Sequence, residues 1–167
     1  MEQKAAGMAG VIQQAVALRQ QGHYDESRLL LRGLLDQPAY AASAHLQIAW
    51  CYDNQGREQE AIPHYQAALS GELSATERFD TLFGLACTYR SLGDYATALG
   101  YFEQTLAEYP AALEVQPFYA ICLYNLGRHQ EATALLLTLL VSTTQHPEIQ
   151  NYQKALLLYA NNLDKKW

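Results

Sequence analysis

Leu82-Phe83-Gly84-Leu85-Ala86-Cys87-Thr88-Tyr89-Arg90-Ser91-Leu92-Gly93-Asp94-Tyr95-Ala96-Thr97-Ala98-Leu99-Gly100-Tyr101-Phe102 is the stretch whose reading decides the fold. Apolar residues recur at helical spacing on both sides of Gly93. Leu82, Leu85, Ala86 and Tyr89 form one stripe; Ala98, Leu99 and Phe102, continued by Leu106, form the other. Gly93 stands where the chain must turn back, in a left-handed conformation that glycine adopts without a Cβ penalty. The stretch therefore encodes two helices folded into an antiparallel hairpin. Ala86 and Ala98, seven residues before and five after the glycine, are small enough to let the helices cross closely, and a larger side chain there would cost about 1–3 kcal/mol by overpacking.

Outward from this stretch the same template returns at Gly22, Gly56 and Gly127, so that the four glycines are 34, 37 and 34 residues apart. Four residues before them stand Leu18, Tyr52, Tyr89 and Leu123, and seven before them Ala15, Ala49, Ala86 and Ala120. Five after come Ser27, Ala61, Ala98 and Ala132, nine after Leu31, Tyr65, Phe102 and Leu136, and thirteen after Leu35, Leu69, Leu106 and Leu140. Self-similarity at such a period marks stacked helical repeats. The three extra residues of the middle interval fall at residues 70–73, just ahead of a capping box, Ser74-Ala75-Thr76-Glu77.

Gly93-Asp94-Tyr95, Ala98, Phe102 and Pro110, with Ala49, Tyr52, Gly56, Ala61 and Tyr65, resemble the tetratricopeptide repeat over about residues 8–145. The first and fourth units depart from that pattern: Gln14 stands where leucine is usual, Ala15 and Ala86 where glycine is usual, and no proline closes the fourth unit in phase. The resemblance extends to small bacterial members of the family with no assigned activity. It implies an all-α, right-handed α-solenoid of four hairpins in one domain, residues 1–167. The repeats would occupy approximately 8–41, 42–78, 79–112 and 113–146. A last helix at 148–163, with Ile149, Tyr152, Leu156, Tyr159, Ala160 and Leu163 on one stripe, would cap the stack, giving nine helices in all. Trp167 is left to pack back on the cap or to mark a self-association contact.

The chain carries 11 Lys and Arg against 17 Asp and Glu, a formal charge of −6, and its basic residues are scattered, which speaks against nucleic-acid binding. That balance suits a basic or apolar partner, and equally an ordinary soluble protein. Residues 5–12 are apolar and follow Lys4, and Ala15-Val16-Ala17 looks like a cleavage site, but Ala15 is in phase with the other repeats, so no signal peptide is expected. No run is long enough to span a membrane. Cys51, Cys87 and Cys122 lie on successive first helices, too far apart to bridge, so free thiols and a cytoplasmic address are expected.

Five histidines show no metal-ligand spacing with one another or with cysteine, and the isolated glycines end helices rather than opening one onto a phosphate. No catalytic set, metal site or cofactor is expected. The helical wheel instead points to the first-helix face opposite the hairpin seam, which in the family lines a concave groove. Its residues are Ile12, Val16 and Arg19; Leu46, Trp50, Asp53 and Asn54; Phe83, Cys87 and Arg90; and Ile121, Tyr124 and Asn125. A competing assignment packs Trp50 and Phe83 between neighbouring first helices. The expected function is a non-catalytic scaffold holding a protein or peptide, an amphipathic helix or a second copy of itself; the alternatives are a small chaperone of a secreted or assembling protein and, behind it, an enzyme whose site the sequence does not reveal. The resemblance also carries a negative expectation: the positions of the family's carboxylate clamp hold Gln13, Gln47, Asp80 and Gly84, so peptides ending in Glu-Glu-Val-Asp should not bind.

Overall fold

The computed structural model describes residues 2–166, with side chains from residue 10 onward. Trp167 lies outside the described residues. Ten helices follow one another in the described chain: α1 Glu2–Gln20, α2 Tyr24–Arg32, α3 Pro38–Asp53, α4 Glu58–Leu69, α5 Ala75–Ser91, α6 Tyr95–Glu108, α7 Val115–Asn125, α8 His129–Thr143, α9 Pro147–Asn151 and α10 Gln153–Asn161. They divide into two compact units, the first ending at Asp94 and the second beginning at Tyr95.

The four turn glycines have φ of +85° (Gly22), +66° (Gly56), +83° (Gly93) and +76° (Gly127), and no other described residue takes a positive φ. At each turn the amide just after the glycine donates to the carbonyl of Leu18, Tyr52, Tyr89 or Leu123, at 2.9–3.0 Å. The glycine amide itself donates to Arg19, Asp53, Arg90 or Tyr124, at 2.9–3.0 Å. This is the Schellman closure of a helix C-terminus, which satisfies two carbonyls the helix would otherwise strand. The spacing of four residues between the large apolar residue and the glycine is thus the spacing of that hydrogen bond.

The small residues sit where the hairpins need them. Ala15, Ala49, Ala86 and Ala120 are no more than 1% exposed, and Ser27, Ala61, Ala98 and Ala132 no more than 5%. In the first hairpin the Ser27 hydroxyl also donates to the Ala15 carbonyl at 2.7 Å, binding α2 to α1. The capping box forms as expected: Ser74 accepts from the Glu77 amide, and the Glu77 carboxylate accepts from the Ser74 amide at 3.0 Å.

In the first unit, second helices are followed by first helices that pack on them, α3 on α2 and α5 on α4. Tyr65 of α4 is 1% exposed, and its ring occupies the space that a side chain at Gly84 of α5 would fill: a Cβ there would lie 2.7 Å from the ring. In the second unit Ala120, Leu123 and Ala132 form a small core, joined by Leu99, Tyr119 and Leu135. The capping segment corrects the expectation of one helix and of nine in total. The chain breaks at Tyr152 (φ −97°, ψ 8°), whose amide bonds to the Ile149 carbonyl three residues back, so a single turn, α9, precedes α10.

Candidate partner-binding face

Hairpin packing consumes one stripe of each first helix, and the residues expected on the opposite face divide by what they meet. On α1, Ile12, Val16 and Arg19 are half-buried. The Arg19 guanidinium lies 5.0 Å from the Trp50 ring centroid and donates to Gln47 Oε1 at 3.4 Å, so α1 and α3 share a cation–aromatic contact. Trp50 is itself half-buried. Leu46, expected on this face, is fully buried and offers no surface to a partner; one turn before Trp50, it belongs to the core of α3.

Asp53 is half-buried beneath two donors. The Tyr65 hydroxyl of α4 donates to it at 2.5 Å and the Thr88 hydroxyl of α5 at 3.1 Å. Burial pushes its carboxyl pKa upward, the two donors oppose that, and neighbouring Glu58 adds to it. Asp53, Glu58, Cys87, Thr88 and Ser91 line a small open cleft. Burial pushes the Cys87 thiol up to about 11, so it stands there as a neutral thiol. Arg90 is half-buried, makes no ion pair with Asp53, and its Nε lacks a hydrogen-bond acceptor, as does that of Arg19. Phe83 is half-buried with its ring 5.8 Å from Phe79, and Asn54 is exposed.

On α7 of the second unit the face is open. Ile121 is 44% and Tyr124 62% exposed, Asn125 is exposed, and the opposite stripe of Val115, Ala120, Cys122 and Leu123 is buried. The Tyr124 ring stands 4.7 Å from that of His129. Phe118, 42% exposed and three residues before Ile121, extends the same strip. The sequence reading passed over it, although its i, i+3 spacing from Ile121 was the available signal.

A second feature the sequence did not join is the pair His45 and His64, 19 residues apart. Their Nδ1 atoms lie 2.9 Å apart, and the Tyr52 ring stacks on His64 at 5.6 Å. Burial foremost, then His45, Arg32 and Arg28, holds the His64 pKa down to about 4. Among the described residues no three His, Cys, Asp or Glu side chains converge as a metal site would require, and all three cysteines are free thiols. No helix of the described chain is long and apolar enough to cross a membrane.

Helical hairpins in series, closed by left-handed glycines and crossed at small residues, define a repeat scaffold of the protein-binding class. The chain belongs to the tetratricopeptide repeat family: it matches the family described as "Tetratrico peptide repeat" over residues 3–49 and 42–163. It is 35% identical over 74 residues to the Photosystem I assembly protein Ycf3 of Synechococcus sp. (strain CC9605), a stretch covering 44% of this chain and 39% of that protein. The match thus spans about two fifths of the relative's length. Among solved structures it is similar to the nearly identical TPR-like repeats of a Podosopora anserina kinesin light chain, with TM-score 0.67, 22% identity, and coverage of 94% of this chain and 88% of that one. MamA of AMB-1 gives TM-score 0.66 and 18% identity over 96% of this chain and 93% of that one. Both likenesses are of fold.

Proposed function

We propose that the chain is a non-catalytic, cytoplasmic scaffold that holds a protein partner on the face of its first helices. One observation carries this reading: α7 turns Phe118, Ile121 and Tyr124 outward along one strip while its other face is buried. Contiguous apolar side chains on the surface of a packed helix mark a docking site, and tyrosine is among the residues that most often dominate one. In the first unit the same phase holds Trp50 under Arg19, with Arg90 on α5. The partner is a peptide, an amphipathic helix or a second copy.

The alternative, a chaperone for a protein under assembly, is favoured by the 74-residue likeness to a photosystem assembly protein. Affinity capture with the wild-type chain and with Ile121→Asp and Tyr124→Ala tests the face. A partner captured by the wild type and lost from both variants supports it; one retained equally by both overturns it. The identity of that partner, an unassembled subunit or a finished complex, separates chaperone from adaptor.

A further inference from the structure

Two arginines of the first unit stand at one repeat position, three residues before their turn glycines: Arg19 at the end of α1 and Arg90 at the end of α5. Both are half-buried, and in both the Nε–H is shut away from solvent without an acceptor. Among the described residues no other buried side-chain nitrogen or oxygen lacks a partner. Folded proteins pair nearly all such groups, so two orphans at equivalent positions call for a cause. Arg90 makes no hydrogen bond or ion pair with a described residue, and Arg19 has only Gln47 Oε1 at 3.4 Å and the face of Trp50. A place in the last turn of a helix, where the macrodipole favours a cation, accounts for the charge and leaves the unused Nε edge unexplained. That edge, Nε with one Nη, is the one through which a guanidinium grips a carboxylate by two parallel hydrogen bonds.

The helix order sets the distance between them. α3 packs on both α1 and α5, so Arg19 and Arg90 are two interhelical spacings apart, on the order of 16–20 Å. An extended chain covers that in about five or six residues. At the same level of α3 stands Asp53, which shares its cleft with Glu58, and one turn earlier stands the half-buried indole of Trp50. Glu77 and Asp80 lie at the other end of α5, about 15 Å or more along the helix from Arg90. Along this edge the charge therefore reads basic, acidic, basic.

Resting on the scaffold reading, we propose that this edge of the first unit takes an acidic segment of a protein partner, with one carboxylate side chain on Arg19, a second on Arg90 and no acid between them. Each carboxylate draws the Nε edge of a flexible, half-exposed arginine out of a position where it has no acceptor into one where it has two. Asp53 and Glu58 repel an anion at the centre, and Trp50 offers an apolar contact there. The pattern matters more than the total, because a chain of net charge −6 attracts no acidic partner at long range. Carboxylates suit it better than phosphates, whose greater charge Asp53 and Glu58 would repel more strongly.

Fluorescence anisotropy of the full chain tests this, using fluorescein-labelled, C-terminally amidated peptides of serine, alanine and leucine. Each carries two glutamates about four to seven residues apart, and a control set carries glutamine instead. At low salt the best glutamate peptide should bind with a dissociation constant on the order of 10–100 µM, and its glutamine counterpart about tenfold more weakly or worse. Arg19→Gln and Arg90→Gln should each weaken binding about tenfold, and a third glutamate midway should weaken it despite the added negative charge. Arg90 has no partner to lose in the free chain, so an unchanged circular dichroism melt is expected for Arg90→Gln. Absence of binding below about 1 mM overturns the acidic partner. So does equal binding of the glutamine set, indifference to both arginine variants, or tighter binding with a midway glutamate. A lysate partner lost from Ile121→Asp and Tyr124→Ala, with no acidic peptide bound, would leave the scaffold standing and remove the acidic segment.

Discussion

The hydroxyl of Tyr65 donates to the carboxylate of Asp53 at 2.5 Å, joining the second helix of one hairpin to its first, while Thr88 of the next first helix donates to the same carboxylate. One half-buried acid therefore ties α3, α4 and α5. Asp53 faces inward to its two donors as well as toward the cleft, and its first duty is to hold adjacent repeats together. Tyr65→Phe removes one donor from a carboxylate that burial already disfavours. A loss of about 0.5–1.5 kcal/mol is expected from removing one hydrogen bond to a half-buried carboxylate, with an unchanged slope in a urea melt. Stability equal to the wild type would mean that water replaces the hydroxyl at no cost and that the tie is ornamental.

Gly84 is the counterpart of that tie. A methyl at this position would stand 2.7 Å from the Tyr65 ring, whereas one at Gly100, on the exposed side of α6, meets nothing within 4 Å. Gly84→Ala should destabilise by about 1–3 kcal/mol through overpacking, and Gly100→Ala should stabilise by about 0.5–1 kcal/mol through helix propensity alone. Combining Gly84→Ala with Tyr65→Leu should recover part of the loss, because the smaller side chain vacates the contested space. Strictly additive effects in that double mutant would show that the ring and the glycine do not meet.

Gly93→Val tests the turn that the sequence located first. At φ +83° a β-branched residue is strained whatever space surrounds it, and a cost of about 1–2 kcal/mol is expected in the denaturation midpoint. Much of the fold was legible from this one position, because the Schellman hydrogen bond fixes the distance from Tyr89 to Gly93, and repetition of that distance reveals the rest. The face was less legible. A helical wheel separates the two sides of a helix, but Leu46 is buried and Trp50 half-buried on the same stripe, because neighbouring first helices cover part of what the wheel leaves open. The break at Tyr152 was hidden for another reason: its apolar stripe continues unchanged through the turn.

The meeting of His45 and His64 was also beyond a search by spacing, since the hairpin brings together residues that are 19 apart in the chain. It has a pH consequence. With the His64 pKa held at about 4 in the folded chain and near 6.5 in the unfolded one, the unfolded state binds more protons between those values. Stability from this site is complete above pH 6.5 and is lost as pH falls toward 4. Because the ring is only half-buried, solvent screening reduces the contribution to on the order of 1 kcal/mol. The difference in urea midpoint between pH 7 and pH 5 should therefore be smaller in His64→Gln than in the wild type. Equal differences in the two proteins would remove the histidine pair as the cause.

Trp50 stands six residues before its turn glycine and Tyr124 three before its own, on the same first-helix face but in different surroundings, and that contrast tests which of the two aromatics binds. Tyr124 is 62% exposed, so Tyr124→Ala should change folding stability by no more than about 0.5 kcal/mol, while partner affinity should fall by about 2 kcal/mol or more if it anchors the interface. Trp50 already spends part of its surface under the Arg19 guanidinium, and its truncation should lower stability by about 1–3 kcal/mol, removing both aromatic packing and the cation–aromatic contact. Arg19→Ala separates the two contributions of Trp50, because it keeps the indole and removes its cation. If binding falls in Tyr124→Ala and Trp50→Ala but holds in Arg19→Ala, the partner contacts both aromatics and the arginine only positions one of them. If Trp50→Ala lowers the melting midpoint and leaves affinity intact, the indole is packing between first helices, and the α7 strip alone carries recognition.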